Sequence, residues 1–273
     1  MRRGHLTRNV ATLPVPPRID EEEVEPYDIE EVQRLLAEAA KLRNSARWAV
    51  ALALGLRQGE ALGLRWADVD LENGTLRVRK NRLRPKYRYG CGGTCDRKPG
   101  YCKQRVWTNS DTDDTKSRAG RRVIGLPDEL VALLGLHRIE QDRELRVAVQ
   151  LWVESGYVFT SPVGAPLIPS TDYDAWKKLL TDAKVRDGRL HDARHTAATV
   201  LLILGVPERV VMQIMGWSST AMAARYQHVT SGIRRKVAKQ VGGLIWQVAK
   251  QKEGKKPGKK KAKKKRPEDP PQP

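Results

Sequence analysis

The stretch from Leu190 to Val229 constrains this chain most, because it places several chemically distinctive side chains in one order. It reads L-H-D-A-R-H, then an apolar run of helical character, then M-G-W, and then A-A-R-Y-Q-H-V. His191 and Arg194 are three residues apart, so on a helix both side chains project from one face. The glycine before Trp217 predicts the end of a helix. Tyr226 is then expected on the next short helical segment.

A histidine, an arginine, a tryptophan and a tyrosine in this order suit chemistry at a phosphodiester. A guanidinium donates parallel hydrogen bonds to phosphate oxygens. A phenol ordinarily titrates near about 10, so it attacks phosphorus only when a base or a positive field activates it. A His-x-x-Arg pair alone occurs by chance on many helices. The ordered set with Gly-Trp and Arg-Tyr-x-His-Val is therefore the informative signal.

Three segments of the chain resemble the motifs of the tyrosine recombinases, the phage-integrase family. The stretch described above resembles the second motif box. The run G-L-R-Q-G-E-A-L-G-L-R-W-A-D-V-D from Gly55 to Asp70 resembles the first, with its arginine at Arg57. The run T-K-S-R-A-G-R-R-V-I-G-L-P from Thr115 to Pro127 resembles the hairpin that carries a lysine, here Lys116. Its spacing to the arginine pair differs from the family pattern.

The resemblance implies a fold and an activity. The fold is α+β and mainly α-helical, a tyrosine-recombinase catalytic domain with a small three-stranded antiparallel sheet. The activity is site-specific cleavage and rejoining of DNA strands through a 3′-phosphotyrosyl intermediate, without metal, ATP or another cofactor. Such an enzyme serves the integration or excision of a phage or other mobile element. The implied catalytic residues are Arg57, Lys116, His191, Arg194, Trp217 and the nucleophile Tyr226.

Each implied catalytic residue has a chemical role in that reaction. Arg57 and Arg194 would bind the non-bridging oxygens and stabilise the transition state. Lys116 would donate a proton to the departing 5′ oxygen. His191 would accept the proton of the tyrosine. Trp217 stands where many members carry histidine, and an indole donates one hydrogen bond but cannot carry a proton.

Other polar residues near these motifs are candidates for supporting roles. Glu60 is expected to orient Arg57, or alternatively to interact with a helix dipole as an N-terminal acid. Backbone-phosphate contacts are expected of three arginines, with a solvated protein surface as the alternative: Arg121, Arg122 and Arg225. His195 lies beside Arg194 on a different helix face, which indicates a packing or supporting role.

Hydrophobic patterns predict the elements that carry these residues. Asp28 and Glu31 form the signature of a capping box at the start of a helix. Partial alternation predicts short strands that begin at Thr75, Arg105 and Arg121 and together form a small antiparallel sheet. Lys116 would lie in the turn between the second and third strands.

The three cysteines of the chain, Cys91, Cys95 and Cys102, all lie between the first two predicted strands. Their C-x3-C-x6-C spacing is compatible with a structural zinc site if a fourth ligand comes from elsewhere. The alternative is a flexible basic loop with free thiols. The strand-exchange reaction itself should need no metal.

The charge of the chain indicates nucleic acid as the partner. The formal net charge is +19, and neutralising phosphates releases counterions. The resemblance implies double-stranded DNA with attachment sites, assembly of the protein into a tetramer on that DNA, and an accessory directionality protein. No apolar run is long enough for a membrane span. We therefore expect a cytoplasmic, nucleoid-associated bacterial protein with reduced thiols.

Composition suggests the division of the chain into segments. Residues 1–26 are rich in proline and charge and are expected to be a linker remnant, because the N-terminal core-binding domain of the family is missing from the sequence. The catalytic domain is expected over residues 27–250, with a cysteine-containing insertion at about 84–104. Residues 251–273 are rich in lysine and expected to be a disordered basic tail.

Three other functions compete with recombination. The helix–glycine–helix pattern around Gly205 also resembles a helix-turn-helix, which favours a DNA-binding regulator. That hypothesis leaves Arg57, Lys116 and Tyr226 unexplained. A truncated recombinase fragment would bind DNA without recombining it. A type IB topoisomerase shares the chemistry and is the nearest enzymatic alternative.

Overall fold

The structure is a computed structural model that describes residues 25–114, 120–224 and 226. Over these residues the chain is mainly helical with small antiparallel sheets, which confirms the predicted fold class. In the described part of the chain, no helix has the length and apolar character that a membrane crossing needs.

The helices follow the local signals of the sequence. Helix α1 begins at the predicted capping box, in which the Glu31 amide donates to Asp28 Oδ1 at 2.7 Å and the Asp28 amide donates to Glu31 Oε2 at 2.9 Å. The α-helices are α1 (Ile29–Ala39), α2 (Ser45–Ala49), α3 (Gln58–Leu62), α4 (Asp128–Ala148), α5 (Pro169–Asp182), α6 (Leu190–Ile203), α7 (Glu208–Met215) and α8 (Ala221–Ala224). A π-helical turn, Val50–Leu54, extends α2, and 3-10 turns cover Trp66–Asp68, Pro99–Tyr101 and Val149–Leu151.

The strands are short and form three antiparallel groups. They are β1 (Val69–Asp70), β2 (Thr75–Val78), β3 (Lys80–Arg82), β4 (Tyr87–Arg88), β5 (Val106–Trp107), β6 (Thr112–Asp114) and β7 (Arg122–Gly125). The three-stranded sheet has the order β1-β2-β7, with Leu76 opposite both Val69 and Ile124. Strand β3 pairs with β6, and β4 pairs with β5.

The predicted membership of the three-stranded sheet was wrong for one strand. The strand expected at Arg105 is β5, and it pairs with β4 rather than with β2 or β7. The third strand of the sheet is β1 instead. The physical reason is burial, because Val106 and Trp107 are exposed whereas Leu76 and Ile124 lie in the core. The apolar side chains of β5 therefore do not pack into the core that the three-stranded sheet covers.

Two hydrophobic clusters form most of the core. One joins α1, α2, α5 and the start of α6 around the fully buried Trp176. The other joins the three-stranded sheet to α2 and α4 and includes Phe159. Helix α2 and its π-turn contribute residues to both clusters. The start of the segment after Leu54 is therefore fixed by packing against both parts of the core.

A buried ion pair fixes the segment that begins α3. Arg47 donates two hydrogen bonds of 2.9 Å to the carboxylate of Asp172, and both side chains are 1% exposed. Gln58 donates to the same carboxylate at 3.0 Å and to the Pro169 carbonyl at 2.7 Å. The first residue of α3 is therefore tied to the start of α5, and Arg57 precedes it directly.

Removing the carboxylate of this pair should destabilise the protein strongly. The Asp172→Ala variant leaves the buried Arg47 without its counter-charge, so we expect the free energy of unfolding to fall by about 3–5 kcal/mol. Asp182→Ala on the same helix is the matched control. It breaks an ion pair with Lys178, which is 74% exposed, and should cost under about 1 kcal/mol. Urea denaturation measures both, and equal losses would contradict the prediction.

Candidate active site

Gly55 brings the segment that carries Arg57 close to α6 and α7. It ends the π-turn with φ of +60°, a conformation that glycine adopts without strain. A Cβ at this position would lie 2.9 Å from Met215 Cε and 3.1 Å from Ala197 Cβ. Glycine is thus required both by its backbone angle and by the close packing, and Arg57 follows two residues later.

Glu60 is a buried carboxylate shared by two arginines. It accepts a 2.8 Å hydrogen bond from Arg57 Nη1 and bonds of 3.0 and 3.2 Å from Arg122. Burial alone would raise the pKa of Glu60, but the hydrogen bonds and positive charge of Arg122, with help from Arg57, outweigh it and hold that pKa below 4.5. The predicted contact between Glu60 and Arg57 is present. Arg57 itself is 39% exposed, so its guanidinium faces both the carboxylate and solvent.

Arg194 is buried at the junction of three elements. Its guanidinium donates to the carbonyl oxygens of Gly55 and Met215 and lies 6.0 Å from the centre of the Trp217 ring. Burial, and then the positive charge of Arg57, lowers the pKa of Arg194 to about 9. The side chain is still cationic at neutral pH, and its two carbonyl contacts hold its orientation.

Tyr226, His195 and His191 form a row of rings across the same region. Tyr226 is 3% exposed, and its hydroxyl is hydrogen-bonded to His195 Nδ1. The ring of His191 meets that of His195 edge-on, with centroids 4.7 Å apart. Burial, followed by the positive charges of Arg194 and Arg57, lowers the pKa of His191 below 6.5. Burial, followed by repulsion from His191, lowers the pKa of His195 to about 4. At a pKa of about 4 the His195 imidazole is neutral at pH 7, so one of its ring nitrogens can accept a hydrogen bond.

Trp217 packs flat against the tyrosine. Helix α7 ends at Gly216, which has φ of +63°, as the sequence predicted. This turn sends the indole back into an apolar cluster that includes Met215. The Trp217 and Tyr226 rings are stacked, with centroids 5.4 Å apart and an angle of 20° between their planes. The indole therefore helps to fix where the phenol ring lies.

An arginine-lined groove opens beside this cluster. Its volume is about 310 Å³ and its lining residues are Arg121, Arg122, Arg209, Met212, Gln213 and Trp217. Arg209 is exposed. Arg121 is 61% exposed and pairs with Asp114 at 2.7 Å. The groove is thus a positively charged surface that reaches as far as the indole.

The placement of Arg122 differs from the exposed phosphate contact that was expected. Its side chain is 6% exposed, its guanidinium pairs with Glu60, and its Nε donates to the Ile214 carbonyl at 2.6 Å. A buried guanidinium needs such partners because it retains its charge, and this need explains the difference. Lys116 and Arg225 lie outside the described residues. The expected DNA contact of Arg121 stays a prediction.

His195, for which a packing or supporting role was expected, is hydrogen-bonded to the Tyr226 hydroxyl. The sequence analysis did not predict this direct contact. One signal was available, because His191 and His195 are four residues apart and share a helix face. The distance in sequence between His195 and Tyr226, 31 residues, hid the contact.

The depressed pKa of His195 predicts that stability is lost in acid. Its folded pKa of about 4 lies below the ordinary 6.5, so the unfolded chain binds a proton that the folded chain does not. The free energy of unfolding should therefore fall as the pH drops from about 6.5, by up to about 3 kcal/mol near pH 4. Urea denaturation at pH 7.5 and 4.5 measures the drop. The His195→Gln variant should show a smaller drop, and the same drop in both proteins would contradict this assignment.

The fold and the site together define a helical protein that gathers two arginines, two histidines and a tyrosine around one surface. The sequence pattern of the Phage integrase family matches residues 27–90 and 103–232. Because this match spans most of the chain, the protein belongs to the phage integrase family. The match leaves out residues 91–102, the segment that begins and ends with a cysteine.

Individual relatives agree with the family match. Over 90% of this chain, the sequence is 41% identical to an integrase of Saccharopolyspora erythraea. Over 83% of this chain, it is 32% identical to a tyrosine recombinase XerC-like protein of Caldanaerobacter subterraneus subsp. tengcongensis. The chain covers 63% of the first relative and 57% of the second. It therefore spans less than two thirds of either protein.

Solved structures share the fold at low sequence identity. The XerA recombinase superposes with a TM-score of 0.56 at 23% identity. The superposition covers 81% of this chain and 66% of the XerA chain. The Tn1549 transposon integrase in complex with transposon right end DNA superposes with a TM-score of 0.55 at 20% identity. The superposition covers 76% of this chain and 62% of the integrase chain. These superpositions support the helical architecture described above.

Proposed function

We propose that this protein is a site-specific DNA recombinase that cleaves and rejoins DNA through a 3′-phosphotyrosyl link at Tyr226. The proposal rests on the close packing of the Tyr226, His195 and His191 rings. The guanidinium groups of Arg194 and Arg57 lie near these rings. The 41% identical integrase and the DNA-bound transposon integrase support the same activity. The expected partner is double-stranded DNA that carries attachment sites.

The proposed reaction exchanges one ester for another. The Tyr226 oxygen attacks the phosphorus, the bond from phosphorus to the 5′ oxygen breaks, and the 5′ hydroxyl leaves. The product link keeps the ester bond, so rejoining needs no ATP. Arg57 and Arg194 bind the two non-bridging oxygens, where negative charge grows in the transition state. Lys116 donates the proton that the departing 5′ oxygen takes up.

The proton of the tyrosine goes to a neutral imidazole. In the arrangement described here His195 holds the hydroxyl, and we assign it the role of positioning the phenol. Partial burial of the His191 ring, together with the charges of the neighbouring Arg194 and Arg57, lowers its pKa. We assign it the role of the base once the hydroxyl reaches the phosphate.

Tyr226 must be uncovered before it reacts. The residue is 3% exposed and stacks on an indole that is 5% exposed, so a phosphodiester cannot reach its hydroxyl directly. We propose that binding of DNA, and assembly of several copies on it as a tetramer, moves the Tyr226 side chain out of this packing. Burial of the phenol until that step protects free DNA from unproductive cleavage. An accessory protein that sets the direction, and a cytoplasmic, nucleoid-associated location, belong to the same proposal.

Trapping of a covalent intermediate tests the function. A labelled duplex that carries the attachment sequence flanking the element, nicked near the scissile phosphate, is incubated with the protein in EDTA. We expect a covalent protein–DNA band, because the nick lets a short fragment with the 5′ hydroxyl diffuse away. Mass spectrometry of the digested adduct should locate the nucleotide on Tyr226. An adduct on another residue would overturn the assigned mechanism.

The competing hypothesis is a DNA-binding regulator. Helices α6 and α7 are joined at Gly205, as a helix-turn-helix reading requires, but that hypothesis gives no role to the hydrogen bond between His195 and Tyr226. Sequence-specific binding of the same duplex without any adduct would favour the regulator.

A further inference from the structure

Three thiols converge in the segment that the family match leaves out. We call Cys91, Cys95 and Cys102 the cysteine cluster. Their sulfur atoms all lie within 4.8 Å of one another, and the Sγ atoms of Cys91 and Cys102 are 3.5 Å apart. Cys102 is 2% exposed, whereas the other two are half-buried. In the chain, the cluster lies between β4 and β5.

The backbone around the cluster is shaped to bring the sulfurs together. Gly92 and Gly93 both have positive φ, +66° and +93°, so the chain turns sharply between the first two cysteines. Thr94 closes this turn, because its backbone amide donates to the Cys91 carbonyl at 3.5 Å and its hydroxyl donates to the same oxygen at 3.0 Å.

The strand pair completes the frame. The 3-10 turn Pro99–Tyr101 leads into Cys102, whose amide donates to the Pro99 carbonyl at 3.3 Å. Arg105 donates to the Gly100 carbonyl at 2.7 Å and lies over the Tyr87 ring at 4.9 Å. The third cysteine is thereby anchored to β4 and β5, opposite the glycine turn that holds the first two.

We propose that the cysteine cluster binds a structural zinc ion. Zinc takes thiolate ligands at about 2.3 Å in a tetrahedron, which places neighbouring sulfurs about 3.8 Å apart. The observed sulfur positions are close to that spacing without any metal to draw them together. The surrounding segment has little apolar material, so a metal supplies the stabilisation that a hydrophobic core supplies elsewhere.

Charge favours a metal over three free thiolates. Negative sulfurs at this spacing repel one another, and a divalent cation removes that repulsion. The described residues supply three ligands, and a water molecule can complete the tetrahedron. A disulfide is the other use of two close thiols, but it would join only one pair and leave the third cysteine unexplained.

The proposed zinc organises a basic projection. Between residues 84 and 105 the segment carries Arg84, Lys86, Arg88, Arg97, Lys98, Lys103 and Arg105 against a single acid, Asp96. A metal that ties Cys91 and Cys95 to Cys102 would hold these cations on one short projection rather than on a loose loop. The site therefore concerns folding of the insertion and is separate from the strand-exchange chemistry.

Metal analysis of the purified protein tests the proposal. The full chain, made without a histidine tag and dialysed against zinc, should retain about one zinc ion per chain, and cobalt substitution should give the visible absorption of a tetrahedral thiolate site. Cys95→Ser should reduce zinc retention at least about tenfold, as should Cys91→Ser. Thr94→Ala is the matched control, because Thr94 lies in the same turn and its hydroxyl donates to the Cys91 carbonyl; it should keep the metal.

Separate readouts keep the outcomes distinct. Circular dichroism should show that the serine variants retain their helices, because the helical core lies outside the insertion, and thiol titration should show three thiols released by a chelator. Three freely reactive thiols without metal would overturn the proposal, as would a Cys91–Cys102 disulfide. None of these measurements depends on DNA cleavage.

Discussion

Replacing Tyr226 by phenylalanine is expected to abolish the covalent protein–DNA adduct while the protein still folds and binds DNA. The variant loses only the hydroxyl that we propose attacks phosphorus, so the cleavage rate should fall by more than about 10⁴-fold, the scale reached when a nucleophile is removed from a catalytic unit. The phenyl ring can keep its stacking on Trp217, at a centroid distance of 5.4 Å. Gel analysis of the trapped duplex measures the adduct, and a filter-binding assay measures DNA affinity.

Tyr173→Phe is the matched control for this change. Tyr173 lies in α5 and packs against the first hydrophobic cluster, far in the chain from the proposed nucleophile. It should form the adduct at the wild-type rate. An adduct that persists in Tyr226→Phe at a comparable rate would remove Tyr226 from the mechanism. Loss of DNA binding and of helical content together would show instead that the hydroxyl has a structural role.

Arg194→Lys is expected to slow cleavage by about 10²–10³-fold, the cost of one donor to a developing oxyanion. Lysine keeps the positive charge but lacks the planar fork that donates to two acceptors at once. In the structure the Arg194 guanidinium donates to the carbonyls of Gly55 and Met215. The single ammonium group of a lysine cannot donate to both carbonyls and also reach a phosphate. Single-turnover adduct formation on the nicked duplex gives the rate.

The control for this variant is Arg143→Lys. Arg143 is 66% exposed and pairs only with Glu140 on its own helix, so the change should leave cleavage unaltered. Urea denaturation of both variants separates lost catalysis from lost stability. Cleavage by Arg194→Lys within about threefold of wild type would show that a charge alone is sufficient and that the fork has no part in binding phosphate.

Several local features of the fold were predictable from neighbouring residues. The capping box at Asp28, the helix end at Gly55 and the turn before Trp217 all depend on residues a few positions apart. The contact between Arg57 and Glu60 belongs to the same group, because the two residues are three positions apart around the start of α3. Such features follow from backbone geometry and short-range hydrogen bonding, which the order of residues carries directly.

The arrangement of strands depended on burial that no short segment reveals. A strand at Val106 was predicted correctly, but its partner was not. Which strand joins a sheet depends on whether its apolar side chains find a core to cover, and β5 has none. The π-helical extension of α2, Val50–Leu54, could not be predicted from the sequence either. Its apolar residues are equally compatible with an ordinary α-helix.

The sequence by itself determined the family, the fold class and the order of the chemically active residues, because these depend on motifs that are contiguous in the chain. Only the tertiary structure decided that Arg122 is buried against Glu60, 62 residues away, and that His195 meets Tyr226 across 31 residues. It also decided that the three sulfurs converge. The physical reason is that a buried charge or hydroxyl takes the partner that packing brings within about 3 Å, and packing is set by the whole core.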